Sequence, residues 1–202
     1  EAHILIGHIV CELVEKELFA KKNKAVFLDR DGTINHDTGY ISSTNGLQIY
    51  PEAAPAIKML NNMGYLVIVV TNQSGINRGL ISIEQLSDVH SYIYDNIICH
   101  GGRIDAFYHC PHRPDENCNC RKPKPGLLLE ATKDYNIDLS SSYIIGDRLK
   151  DIYAGYDAGV APILVLTGEG NREVAQVGGV SCSVAENILS AARIIANKQK
   201  IA

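Results

Sequence analysis

Lys24-Ala25-Val26-Phe27-Leu28-Asp29-Arg30-Asp31-Gly32-Thr33 is the stretch that decides how this chain is read. Its first five residues are a short, mostly apolar strand pattern, and Gly32 then breaks it. A parallel strand whose C-terminal tip carries a site ends in this way. Asp29 and Asp31 stand two residues apart beyond that tip, where a loop can turn both carboxylates into one pocket. One can serve as a covalent nucleophile and the other as a general acid and base. Two such close carboxylates repel, so a divalent cation is the expected third party. An Asp-rich turn that merely closes a strand would look much the same, and only the surrounding chain separates the two.

Three further pieces follow in order. Tyr65 to Val70 is a second apolar run and ends at Thr71-Asn72-Gln73-Ser74-Gly75, where a hydroxyl and backbone amides suit a phosphoryl oxygen. Arg121-Lys122-Pro123-Lys124-Pro125-Gly126 sets fixed cations before a helical stretch. Tyr143-Ile144-Ile145 is a third apolar run and ends in Gly146-Asp147-Arg148-Leu149-Lys150-Asp151. Each piece alone could be a polar loop, a solvated charge run or a Gly-Asp turn. Each also follows a strand or precedes a helix, and chance rarely gives that order.

Between them lies a second constellation, Cys110-Pro111-His112 and Cys118-Asn119-Cys120. Three thiols and one imidazole within eleven residues match a closed tetrahedral zinc site. A disulfide or idle thiols are the alternatives, but Cys118 and Cys120 are poorly spaced to pair with each other. The polar loop between the pairs has no core of its own, and a metal would order it. Cys110, His112, Cys118 and Cys120 are therefore expected to hold a structural Zn2+, with the loop spanning 110–120. Cys120 directly precedes Arg121-Lys122, so a folded loop would aim those cations.

With all four motifs in place, the chain resembles the haloacid dehalogenase-like phosphatase superfamily from Ala25 to about Leu166. That resemblance implies a Rossmann-like three-layer α/β/α fold with a mainly parallel sheet. It implies that Asp29 forms an aspartyl-phosphate and that Asp31 protonates the leaving oxygen, then activates water. Thr71 and Lys122 would hold the phosphoryl group. Mg2+ would be held by Asp29, the main-chain carbonyl of Asp31, and Asp147, with Asp151 as a partner behind them. The Cys-Pro-His and Cys-x-Cys-Arg-Lys-Pro pattern resembles the branch that holds heptose-bisphosphate phosphatases and histidinol phosphatases. Asn72 to Gly79 and Gly39-Tyr40-Ile41 fit the heptose enzymes better. Arg148 stands where a lysine is frequent, which keeps charge but not hydrogen-bond geometry. The implied activity is magnesium-dependent removal of the C7 phosphate of a heptose 1,7-bisphosphate. Histidinol phosphate is the alternative substrate, and a non-catalytic zinc-stabilised binding module the alternative class. Asn72, Gln73, Ser74, Arg78 and Arg121 are the candidate substrate-binding residues.

Composition sets the outer limits. A chain of 202 residues holds one α/β domain and little more. A net charge of -4 argues against a nucleic-acid surface, yet leaves room for local cations around a phosphate ester. No apolar run approaches membrane-spanning length and no signal-peptide pattern is present, so a cytoplasmic enzyme is expected. Cys11, Cys99 and Cys182 read as buried free thiols of a reducing compartment.

Helices are expected at 51–63, from a Ser82-Ile83-Glu84-Gln85 capping box onward, at 127–135 and at 151–158. Further strands are expected at 104–108, 162–166 and 180–183, with a second capping box at Ser183-Val184-Ala185-Glu186 opening the last helix. Thr167-Gly168-Glu169-Gly170 reads as a plain turn. Only 34–50 separates the first motif from the first helix, so no large cap domain is expected. Specificity would then come from loops 35–41, 73–79 and 110–121. Residues 24–202 form the phosphatase domain in this reading. Residues 1–23 precede it with an apolar helical stripe at Ile6, Ile9, Val10, Leu13, Val14 and Leu18. That segment resembles the C-terminal helix of phosphoheptose isomerases, with His8 at the place of their catalytic histidine. The resemblance implies a fused or associated isomerase unit in which His8 is inactive here, and an ordinary amphipathic lead-in helix is the alternative.

Overall fold

The computed structural model describes residues 22–200. The stripe and His8 of the N-terminal segment, and Cys11, lie outside the described residues.

β1 (Ala25–Leu28) is buried on both faces, which is why its sequence is almost wholly apolar rather than alternating. It lies in the middle of a six-stranded sheet of order β3-β2-β1-β4-β5-β6. The other strands are β2 (Leu66–Asn72), β3 (Ala106–Cys110), β4 (Tyr143–Gly146), β5 (Ala161–Val165) and β6 (Ser183–Ala185). All pairings are parallel. Chain order runs one way from β1 to β3 and the other way from β4 to β6. The C-terminal ends of β1, β2 and β4 therefore border the crevice where ligands bind in open α/β sheets.

Helices cover both faces. Val26, Leu28, Val67, Val69, Ile145 and Ile163 face one layer made of α1 (Ala53–Asn62), α2 (Ile83–Cys99) and α6 (Ile188–Gln199). Ala25, Phe27, Ile68, Val70 and Ile144 face the other, made of α3 (Gly126–Tyr135) and α4 (Leu149–Ala158). The short α5 (Gly170–Glu173) sits beyond β5. This is a three-layer α/β/α fold around a parallel sheet. Among the described residues no separate cap domain interrupts it.

α2 opens as expected, with Ser82 accepting from Gln85 and Gln85 reaching back to Ser82, and it buries Leu86, Val89, Ile93 and Ile97. Four expectations need correction. The last helix is capped by Asn187, whose side chain accepts from the Ser190 amide, while Ser183 opens β6. The capping-box spacing at Ser183 was overridden by parallel pairing of Ser183 to Ala185 with β5. That pairing also moves the final strand past 180–183. β3 starts two residues later than expected, because Asp105 closes the loop before it and pairs its carboxylate with the Val67 amide. Cys99, expected buried, is exposed at the end of α2, and Cys182 is only half-buried.

Candidate active site

Asp29 follows β1 directly, and its amide donates to the Ile145 carbonyl of β4 at 2.9 Å, extending the sheet by one bond. Its side chain is buried and meets Lys122, whose Nζ lies 2.7 Å from Asp29 Oδ1 and 2.7 Å from the Val70 carbonyl. The same ammonium is 2.7 Å from Asp151 Oδ1. That last contact is an ion pair without hydrogen-bond alignment, since Asp151 Oδ1 has no hydrogen-bond partner. Asn72 clamps the Lys122 backbone from both sides, accepting from its amide and donating to its carbonyl, each at 3.1 Å. The cation thus comes from the loop before α3, fixed by a residue at the tip of β2.

Asp147, at the end of β4, completes the group. Carboxylate oxygens of Asp29, Asp147 and Asp151 lie within 4.8 Å of one another, and all three residues are buried. The sequence brings Asp151 here by standing one helical turn beyond Asp147, at the start of α4. Its other oxygen accepts from the Arg148 amide at 3.1 Å. Asp147 is seated by a loop read only as a turn. Glu169 N donates to Asp147 Oδ2 at 2.9 Å, and Thr167 Oγ1 donates to the Gly32 carbonyl at 2.6 Å. Gly32 has a left-handed φ of 85°, and a Cβ there would lie 2.2 Å from Asp147 Oδ2. Only glycine allows the first motif to pass so close to the third carboxylate.

Charge balance in this group is lopsided. Burial would raise Asp29, but Lys122, then Lys150, outweigh it and hold its carboxyl below the ordinary value. Burial raises Asp151 despite Lys122. Burial, then Asp29 and Asp151, push Asp147 up to about 8, and its Oδ1 is sealed without a partner. Lys122 is driven upward by Asp151 and Asp29 against burial. Three buried carboxylates around one ammonium therefore lack a countercharge. An all-oxygen donor set with an orphaned carboxylate oxygen fits a hard divalent cation such as magnesium. The Asp31 carboxylate lies outside this cluster, in keeping with a role for its main-chain carbonyl there, and Asp151 is the third carboxylate.

Asp31 lies on the cavity side. Its carboxylate accepts from Arg30 Nε and Nη2 at 3.0 and 2.8 Å, from Asn35 at 2.9 Å and from Gln73 at 2.9 Å. Gln73 also donates to Thr71 Oγ1 at 2.8 Å. Asp29, Asp31, Thr71, Asn72, Gln73 and Ser74 open onto a cavity of about 250 Å³. Its far wall is Asp37, Gly39, Tyr40, Arg148 and Lys150, with Arg148 held 2.8 Å from Asp37. Two wider grooves of about 540 and 660 Å³ run along α1, but no carboxylate lines either. Chemistry, not size, marks the site.

Arg78 and Arg121 are not brought to this cavity. Arg78 is exposed on the 73–79 loop. Arg121 Nη1 donates to the His112 carbonyl at 3.0 Å and is tied to the cysteine loop. The residues missed by sequence are Arg30, Asn35, Lys150 and the Thr167–Glu169 loop. Lys150 had a signal, since it stands within the third motif. Arg30 had none, because nothing in Asp-Arg-Asp says which way the middle side chain points.

The cysteine loop folds beside this site. Cys120 Sγ lies 3.2 Å from Cys110 Sγ, 3.4 Å from Cys118 Sγ and 3.2 Å from His112 Nδ1. Cys110 Sγ is 3.5 Å from Cys118 Sγ and 3.6 Å from His112 Nδ1. These separations are too long for a disulfide. They are close to the edges of a tetrahedron around a small ion, and the donor set of three sulfurs and one imidazole suits zinc. Asn77 donates to Glu116 at 2.9 Å, joining the loop after β2 to the cysteine loop.

The fold and the carboxylate–lysine group define a haloacid dehalogenase-type phosphatase, and comparison with known proteins agrees. Residues 119–190 match the HAD-hydrolase-like family. The chain is 42% identical over 146 residues to the D-glycero-beta-D-manno-heptose-1,7-bisphosphate 7-phosphatase of Helicobacter pylori, covering 72% of this chain and 84% of that one. It is 44% identical over 156 residues to the enzyme of the same name from Haemophilus ducreyi, covering 72% and 85%. A solved D,D-heptose 1,7-bisphosphate phosphatase from B. bronchiseptica, complexed with magnesium and phosphate, superposes with a TM-score of 0.82 at 36% identity, covering 87% of this chain and 99% of that one. The chain belongs to the D-glycero-D-manno-heptose-1,7-bisphosphate 7-phosphatase family and is a phosphoric monoester hydrolase.

Proposed function

We propose that this chain hydrolyses the C7 phosphate of D-glycero-D-manno-heptose 1,7-bisphosphate, with Asp29 as nucleophile. The observation that carries the reading is the buried Asp29–Lys122–Asp151–Asp147 group at the edge of a small polar cavity. Asp29, kept ionised by Lys122, attacks phosphorus and forms an aspartyl-phosphate. Asp31 gives a proton to the leaving sugar oxygen and then takes one from the attacking water. Thr71 and Lys122 hold the phosphoryl oxygens. Mg2+, held by Asp29, Asp147 and the Asp31 carbonyl, would offset charge on those oxygens. Asn72 and Gln73 act by fixing Lys122 and Asp31, and Ser74 lines the entry. Arg78 and Arg121 would meet the sugar only from outside this cavity.

Zn2+ at Cys110, His112, Cys118 and Cys120 would be structural, since four protein ligands leave no open position. The metal would hold Arg121 and, through the chain, Lys122. A reducing, cytoplasmic setting suits three thiolate ligands that form no disulfide, and no described helix is long and apolar enough to cross a membrane. The 1–23 segment is read as the tail of an isomerase-like unit joined ahead of the phosphatase domain at 24–202, on the strength of its resemblance alone. A phosphate-release panel with magnesium tests the substrate: both anomers of the heptose bisphosphate, fructose 1,6-bisphosphate and histidinol phosphate. Preference for histidinol phosphate would overturn the reading.

A further inference from the structure

Arg30 is the largest fully buried side chain among the described residues and carries a charge. Such a group is costly to bury, and a well-packed apolar residue often serves stability as well or better. Among the described residues its only ion-pair partner is Asp31, which it grips in a two-point fork through Nε and Nη2, while Nη1 has no partner there. Two more buried donors, Asn35 and Gln73, close on the same carboxylate. The Arg30 carbonyl is fixed as well, accepting from the Thr33, Ile34 and Asn35 amides. Asp31 is left with 16% of its side chain exposed, toward the cavity. A carboxylate gripped on both oxygens keeps one orientation, and a planar guanidinium holds it better than an ammonium could.

We propose that Arg30 is a positioning residue for proton transfer: its buried fork holds the Asp31 carboxylate at the angle from which it serves the leaving oxygen and the attacking water. This rests on the acid–base role given to Asp31 above. The alternative is a charge pair that only steadies the loop, and the leaving group tells the two apart. An alkoxide needs a proton as it departs, whereas p-nitrophenolate does not.

The test compares kcat/KM for a sugar phosphate and for p-nitrophenyl phosphate in full-length wild type, Arg30→Lys, Arg30→Gln and Asp31→Asn. Folding is checked by melting temperature. Arg30→Lys keeps the charge and removes the fork, so it serves should Arg30→Gln not fold. Arg30→Lys is expected to lose about 10²-fold on the sugar phosphate, the scale of a misplaced catalytic group. On p-nitrophenyl phosphate kcat/KM, which reports steps only through formation of the aspartyl-phosphate, is expected to fall less than about fivefold. Asp31→Asn should show the same selectivity more strongly. Equal losses on both esters in Arg30→Lys, with Asp31→Asn selective, would overturn the positioning role alone. Equal losses in Asp31→Asn would overturn the acid assignment and this inference with it.

Discussion

The carboxylate floor and the cysteine loop both gather like charges within a few ångströms, and they do so by opposite means. The floor is built by the sheet: Asp29, Thr71 and Asp147 stand at the ends of three neighbouring strands, and Lys122 is clamped beneath them by Asn72. Its geometry is set by packing before any ion arrives. The cysteine loop has one anchor in regular structure, Cys110 at the end of β3, and the other three ligands stand on irregular chain. Nothing apolar holds Pro114 to Glu116, all exposed. In the proposed reading the floor is preorganised to use a metal, whereas the loop would need one to keep its fold. Damage to the floor should therefore abolish chemistry with little effect on folding, and damage to the loop should loosen structure and cost activity only indirectly.

The sharpest test is Asp29→Asn. An amide cannot form the acyl phosphate, so turnover should fall on the order of 10⁴-fold or more, while the melting temperature holds or rises as one buried charge is lost. Steady-state kinetics and calorimetry on the same preparation decide it, and near-wild-type turnover would refute the mechanism. Lys122→Met breaks the separation in an informative way. It leaves Asp29 and Asp151 buried without their cation, so about 3–5 kcal/mol of stability should go together with activity. Urea unfolding measures this, and a loss below about 1 kcal/mol would show that another group carries the charge.

Metal exchange draws the line between the regions from the other side. Turnover should need magnesium, and calcium should inhibit, because its looser coordination misplaces the in-line attack. Metal analysis should find one zinc per chain after purification. Cys118→Ser should lose that zinc and lower kcat/KM by about tenfold, with the melting temperature falling as well. Normal activity in a zinc-free protein would remove the proposed link through Arg121.

Much of the floor is legible in the sequence, because strand ends and chemistry coincide there. An apolar run followed by Asp-x-Asp-Gly-Thr fixes both the strand and the place where its side chains leave the sheet. The rest is hidden for physical reasons. Asp151 reads as an outer partner, since sequence spacing gives its helix face but not how closely Gly146 lets it approach; a Cβ on Gly146 would lie 2.5 Å from it. The Thr167–Glu169 loop touches Asp147 only because β5 lies beside β4, a contact across the sheet that no local pattern encodes. Ser183 carried a good capping signal that pairing with β5 outweighed. The cysteine loop is legible as a ligand set, yet its attachment to the floor through Asn77 and Glu116 is not.

The smallest expected effect concerns the wall behind the floor. His90 on α2 stacks on Phe107 at 4.5 Å, and its Nε2 is sealed without a partner. Burial, then the charges of Arg30 and His109, depress its proton affinity to about 3. A histidine lowered in the folded state favours the fold while it is neutral. Its contribution is thus complete above the ordinary value near 6.5 and declines as pH falls from there toward 3. The slope cannot exceed about 1.4 kcal/mol per pH unit for one group. His90→Phe keeps the stacking and removes the titration. Relative to wild type it should gain stability steadily between pH 6 and 4 and change little at pH 7.5, a window set by that shift. Equilibrium unfolding at each pH checks this, and parallel curves for the two proteins would show that His90 titrates freely. The comparison with the loop then becomes quantitative. Acid should also release the metal by protonating Cys110, His112, Cys118 and Cys120, but that loss is common to both proteins and cancels in their difference.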